Sequence, residues 1–428
     1  MTIETTFANN SVVITGMGVV CALGDTVDQF AAALKAGHSG IRALDKGDLP
    51  IQIGALISDF DFETSINALA LSPTLIDRGQ VAARRSSLVV QTAVCSALQA
   101  WCQADLQNSN IDATRVGLII AGQNLNSGYS YAHYQRYQAD LDYLPASYGL
   151  HFLDTNLVGT LSEILQIQGP GFTIGGASAS GNVGIIQGRQ LIQSGLVDIC
   201  LVVGALADLS PLELQAWQQM GAMGGLSFSA EQSCRPFDQA HEGFIYGQGC
   251  GCLILESANH SQQRHTYSLA SIPGTALTLD GNRLANPNPL GEARAMQQAL
   301  QMAGLTAADI NYINTHGSAS ALGDETEMTA IKSVCKTHIS HIWLNATKGL
   351  TGHCLYAAGV IEAIATVIQM QQGFVHANKN LDKPIDNEAR FVGDVAETTD
   401  IQTALSNSFG FGGINSAIVL TKQGNGII

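Results

Sequence analysis

The sequence is poor in charge and in aromatic rings: Asp, Glu, Lys and Arg make up 13% of its 428 residues and Phe, Trp and Tyr only 6%. No Lys/Arg-rich run occurs and the formal net charge is −15, which excludes nucleic acid as a main partner. The apolar stretches break well short of the roughly 18 residues a membrane span needs, so no membrane segment is expected. Low-complexity segments, short-period repeats and a P-loop are absent. The nine Cys are odd in number, form no CxxC pair and fall partly in apolar runs such as Asp198-Ile-Cys-Leu-Val-Val. Buried free thiols in a reducing compartment account for them. Met1-Thr-Ile-Glu-Thr-Thr has neither a basic stretch nor an apolar core, so no secretory signal is read. The expected setting is cytoplasmic and soluble.

What is abundant is apolar residues, at 46%, and glycine, at 45 positions. That pairing suits buried strands joined by tight turns. Ser11-Val-Val-Ile-Thr-Gly-Met-Gly-Val-Val reads as a first buried strand, followed by helical spacing over Val27 to Ala36. Helical segments are expected over 85–103, 179–194, 291–303, 324–335 and 357–371. Strands are expected at 116–121, 172–174, 197–203, 250–255, near 266–271, and at 311–314 and 415–421. Residues 123–150, rich in Asn, Ser, Tyr and Gln, read as an excursion from the sheet. Gly195 suits the position just past a helix end. Strand–helix alternation twice over predicts an α/β protein with parallel pairing.

Three glycine-rich runs concentrate the chemistry. Gly169-Pro-Gly-Phe-Thr-Ile-Gly-Gly-Ala-Ser178-Ala-Ser180-Gly joins a strand to a helix and would hold one side chain at the helix N-terminus. By composition it reads equally as a βα turn in which Ser178 or Ser180 caps the helix. Ser180 stands where a G-x-S-x-G hydrolase elbow needs glycine, which disfavours that class. Asn314-Thr-His316-Gly-Ser318-Ala-Ser320 and Asn345-Ala-Thr-Lys348-Gly-Leu-Thr-Gly-His353 each follow a short apolar strand. A lone His is more often structural, but ligands bind just past strand carboxyl ends in α/β sheets, so two in such turns carry more weight. Their spacing, without a Cys or carboxylate cluster, fits zinc poorly. Asn407-Ser-Phe-Gly-Phe411-Gly-Gly413-Ile-Asn415, as a bare pattern, is a Gly-rich turn.

In this order the runs resemble the thiolase-superfamily ketosynthases of the 3-oxoacyl-acyl carrier protein synthase II type, from Ser11 to about Thr421. The resemblance implies a thiolase fold. Two similar halves with mixed five-stranded sheets would stack in αβαβα layers, residues 1–257 carrying Ser178 and residues 258–428 carrying the histidines and gate loop. It implies that His316 and His353 hydrogen-bond a thioester carbonyl, that Lys348 and Glu362 form a supporting pair, and that the amides of Ser178 and Phe411 make an oxyanion hole. Ser318 and Ser320 stand where the family has threonines on the phosphopantetheine arm. No bound cofactor is implied; the partners would be an acyl carrier protein, docking on a local basic patch for which Arg78, Arg84 and Arg85 are candidates, and a second copy of the chain. Cys234-Arg-Pro-Phe-Asp238 through Gly247 matches a further family region, but His241, Glu242 and Gln248 depart from it, so its carrier contacts are not carried over.

The main departure is Ser178 in the place of the family's nucleophilic cysteine. A thiol of pKa roughly 8.5 is brought toward neutrality at a helix N-terminus, whereas a hydroxyl starts several units higher and stays protonated without a base. Condensation would be largely lost, while decarboxylation needs only donors at the thioester oxygen. The resemblance therefore points to the malonyl-carrier decarboxylases of polyketide β-branching cassettes. The alternatives are an acyltransferase or elongating synthase acylated on Ser178, with His316 as base, and a non-catalytic partner subunit of the chain-length-factor kind.

Overall fold

The computed structural model describes residues 11–45, 49–225 and 227–423. The N-terminal segment read above for a signal lies outside them.

The first half is built from β1 (Val12–Cys21), α1 (Leu88–Gln103), β2 (Val116–Ala121), β3 (Gly171–Ile174), α2 (Ser180–Gln193), β4 (Ile199–Gly204) and β5 (Gly249–Ser257). The second half contributes β6 (Ala270–Leu279), α3 (Pro289–Ala303), β7 (Tyr312–Asn314), α4 (Ala321–Cys335), β8 (Trp343–Asn345), α5 (Ala358–Gln372), β9 (Thr403–Gly410) and β10 (Ile414–Lys422). Strands run β1-β5-β4-β2-β3 in the first half and β6-β10-β9-β7-β8 in the second, where the expected five are extended by a short sixth, Arg390–Phe391, parallel to β8. The first two pairings of each half are antiparallel and the next two parallel, in the same order. Two similar sets of strands thus form one continuous sheet, joined where β1 meets β6 at Val13–Ser271 and Ile14–Ala270.

Helices α2 and α5 pack on each other between the two sets of strands, α1 covers the outer face of the first set, and α3 and α4 cover that of the second. The middle strands β2 and β4 are buried along their whole length, as their unbroken apolar runs require. The two central helices approach closely: a Cβ on Gly181 would lie 2.6 Å from the Val360 nitrogen, and one on Gly359 2.7 Å from that of Asn182. Glycine at both positions lets the two helices cross with their backbones nearly touching.

The sequence reading needs three adjustments. The strand expected near 266–271 is Ala270–Leu279; Pro273-Gly274 reads as a break, but it sits at an irregularity of register opposite β10, where a proline is tolerated. The excursion after β2 is helical over Ser127–Ala139, its rings packed among themselves, as in the Tyr129–Tyr148 stack at 5.8 Å. The Gly-rich run at 407–415 is a β-hairpin: β9 and β10 pair from Thr403–Thr421 to Gly410–Ile414, leaving Phe411-Gly412-Gly413 as its tip.

Candidate active site

The turn between β3 and α2 carries Ser178. Ala177 just before it has φ 48°, a left-handed conformation uncommon for a residue with a side chain. Ser180 holds this bend together: its hydroxyl donates to the Ala177 carbonyl at 2.7 Å and accepts the Gly176 amide at 2.8 Å. The residue that breaks the hydrolase pattern therefore staples the turn that presents Ser178.

His353 follows β8 through a single helical turn, Lys348–Thr351. Its backbone is gripped on both sides, its amide by the Ile245 carbonyl at 2.7 Å and its carbonyl by the Gly247 amide at 3.1 Å. The Leu355 amide donates to Nδ1 at 3.1 Å, and Nε2 lies 3.0 Å from Ser178 Oγ. A ring that accepts at Nδ1 carries its proton at Nε2, so His353 donates to the serine. His316 is arranged in the same sense. Lys348 Nζ reaches its Nδ1 at 3.3 Å and its carbonyl at 2.5 Å, and Glu362 Oε1 at 2.5 Å. These three contacts use all three N–H bonds of the ammonium and leave the proton of His316 on Nε2.

The imidazoles stand with centroids 5.6 Å apart. Burial, and then the Lys348 charge, hold both well below the ordinary histidine range, so both are neutral. Burial raises the Glu362 carboxyl against the pull of Lys348. Ser178, His316 and His353 open on one cavity of about 620 Å3, with Phe244, Phe409 and Tyr356 among its apolar walls. Ser318 and Ser320, their hydroxyls 2.9 Å apart, and Phe411 at the hairpin tip line it too. Two neutral donors and an alcohol on one apolar cavity suit an oxygen that gains negative charge; His353, the ring hydrogen-bonded to Ser178, has no free lone pair with which to act as its base.

Residues 9–261 match the model of the β-ketoacyl synthase N-terminal domain, and residues 269–382 that of its C-terminal domain. The chain belongs to the β-ketoacyl synthase family. It is 36% identical to the polyketide biosynthesis malonyl-ACP decarboxylase PksF of Bacillus subtilis (strain 168), across 96% of each chain. It is 31% identical to 3-oxoacyl-[acyl-carrier-protein] synthase 2 of Coxiella burnetii, across 96% of this chain and 98% of that one. Among solved structures, the ishigamide ketosynthase/chain length factor superposes with a TM-score of 0.85 at 25% identity, covering 97% of this chain and all of that one. A type II polyketide synthase ketosynthase in complex with its acyl carrier protein gives 0.83, at the same identity and coverage.

In this ketosynthase relative the residues singled out from the sequence meet. Ser178, His316, His353, Ser318, Ser320 and Phe411 line one cavity, with the Lys348–Glu362 pair buried behind His316. Arg78, Arg84 and Arg85 are exposed but none lines it; the arginine that does is Arg283. Sequence reasoning missed Glu327, whose two oxygens accept the His316 and Gly317 amides at 2.8 Å each. Burial lifts its carboxyl to about 7. It also missed Asp324, which takes the Phe237 amide at 2.7 Å and the Ala319 amide at 3.1 Å and meets His241 at 3.2 Å. A signal was available: Asp324 and Glu327 are acids three apart on an expected helix just after the His316 run, spaced to share one face. Among the described residues no cluster suited to a metal ion occurs, and no helix is long and apolar enough to cross a membrane.

Proposed function

We propose that the protein removes CO2 from malonyl-acyl carrier protein in polyketide biosynthesis, leaving acetyl-acyl carrier protein. The observation that carries this reading is that His353 donates to Ser178 rather than accepting from it. A serine without a base is no acyl acceptor, whereas two neutral Nε2–H donors are what an enolate oxygen needs.

The malonyl thioester oxygen takes the place between the two imidazoles, and the carboxylate faces the apolar wall of Phe244 and Phe409. The bond between C2 and the carboxylate carbon breaks, and CO2 leaves. The electron pair passes into the thioester, whose oxygen becomes anionic against His316 and His353, and a proton then adds at C2. The amides of Ser178 and Phe411 form a second oxyanion site in this reading, and Lys348 with Glu362 fixes the His316 tautomer. Ser318 and Ser320 bind the phosphopantetheine arm; no other cofactor is required.

The protein is taken as cytoplasmic and homodimeric, divided at residue 257 into two halves, and as a supplier of acetyl-carrier protein to β-branching. The family membership and the 36% identity to a malonyl-ACP decarboxylase support the reading. Incubation with malonyl-acyl carrier protein tests it by mass spectrometry of the carrier: acetyl-carrier protein without chain extension is expected, and an unchanged carrier, or a stable acyl adduct on Ser178, overturns it.

A further inference from the structure

One carboxyl group on the cavity wall has no part in the chemistry above. Glu292 lies in the first turn of α3, is 1% exposed, and lines the same cavity as Ser178, Ser318 and Ser320. Its Oε2 is buried without a hydrogen-bond partner. The helix start does not explain it, because the capping bond there comes from Asn288, which accepts the Leu290 amide at 3.0 Å.

The charged groups that act on Glu292 are three acids, none of them hydrogen-bonded to its Oε2. Asp280 has Oδ1 engaged by Asn415 Nδ2 at 2.8 Å and its Oδ2 buried without a partner, Glu327 serves the His316 and Gly317 amides, and Asp324 serves Phe237 and Ala319. Burial, and then the charges of these three acids, push the Glu292 carboxyl well above the usual range. Arg283, also on the cavity lining, is exposed to solvent. Leaving a buried polar atom without a partner is unfavourable, and that cost is relieved when a partner arrives with the substrate.

We propose that Glu292 binds the carrier arm, its carboxyl pairing with a secondary amide of the arm as that amide passes Ser318 and Ser320. A protonated carboxyl offers one O–H donor and one carbonyl acceptor, the complement of an amide's C=O and N–H. The pairing forms no covalent bond and leaves the reacting carbon to the imidazoles. It rests on the decarboxylase reading only for the identity of the arm.

The test uses the full chain as wild type, Glu292→Ala and Glu292→Gln, with two readouts: KM and kcat for CO2 release from malonyl-acyl carrier protein, and the affinity for pantetheine alone. Glu292→Ala is expected to raise KM and weaken pantetheine binding by roughly three- to tenfold, the worth of about one neutral hydrogen bond, with kcat unchanged. Glu292→Gln keeps donor and acceptor and stays near wild type. As the pH rises through the raised pKa of Glu292 the wild type loses its donor and weakens while Glu292→Gln does not, a difference a purely structural role would not produce. Unchanged pantetheine affinity in Glu292→Ala overturns the proposal, as do superimposable pH profiles of wild type and Glu292→Gln; where Glu292→Ala fails to fold, those profiles decide. A wild type that releases no CO2 while Glu292→Ala still loses pantetheine affinity sinks the decarboxylase reading and leaves Glu292 in place.

Discussion

His353 Nε2 lies 3.0 Å from Ser178 Oγ while the Leu355 amide occupies Nδ1 of the same ring, so the histidine gives its proton to the serine. The direction of that hydrogen bond separates a site that stabilises an oxyanion from one that activates a nucleophile. Under the proposed function, Ser178 rests where the thioester oxygen would bind.

Removing the hydroxyl should therefore cost little. Ser178→Ala is expected to keep CO2 release within about tenfold of the wild type, the most one neutral hydrogen bond is worth. Quantifying acetyl-carrier protein by mass checks this, and a loss of several orders of magnitude would assign the serine a covalent role.

The imidazoles should behave in the opposite way. His316→Ala or His353→Ala removes one donor from the developing enolate and is expected to lower kcat by about 10²–10³, with a smaller effect on KM. Single-turnover CO2 release with saturating carrier measures it.

The pH dependence follows from the same bonds. Both rings are held well below the ordinary histidine range by burial and by Lys348, and protonating either would place an N–H against a donor already at Nδ1. The active, neutral form thus persists through the ordinary histidine pKa. The imidazole contribution to kcat should stay flat from about pH 8 down past about pH 6.5 and fall only in more acidic solution. A descending limb centred near the free histidine pKa would contradict the assignment.

The Lys348–Glu362 pair is almost fully buried, at 1% and 2% side-chain exposure. Glu362→Ala leaves an unpaired ammonium and is expected to destabilise the fold by about 3–5 kcal/mol, measured by urea unfolding, and to free Lys348 from its fixed contact with His316. Replacing both with apolar residues of similar volume should recover much of the stability but not the activity.

At the crossing of the central helices, Gly181→Ala would set a methyl 2.6 Å from the Val360 backbone nitrogen. An overpacking cost of about 1–3 kcal/mol is expected. Because α2 begins two residues after Ser178 and α5 carries Glu362, kcat should fall by more than the stability loss explains. Circular dichroism melts and carrier turnover on the same sample separate the two effects.

The sequence by itself determined the strand–helix alternation and the glycine-rich turns at strand ends; the layers and the site residues followed from the resemblance those runs bear to ketosynthases. Unbroken apolar runs such as Val116–Ala121 can be satisfied only by burial on both faces, and glycine-rich turns at strand ends mark where side chains are presented. Ser178, His316 and His353 each sit in such a turn, and the order of the runs, which resembles that of ketosynthases, singled them out. The hairpin of β9 and β10 was hidden because glycines at its tip read alike in a loop or a turn, and β6 was expected too early, near 266–271, because Pro273-Gly274 interrupts the run that forms it. What only the tertiary structure decided is which way protons point and which polar atoms lack partners. The Nε2–H tautomer of His353 depends on the Leu355 amide, that of His316 on Lys348, and the isolation of Glu292 on neighbours from two other elements. Hydrogen-bond direction and desolvation are set by groups brought within a few ångströms across the chain, and linear spacing carries no record of them.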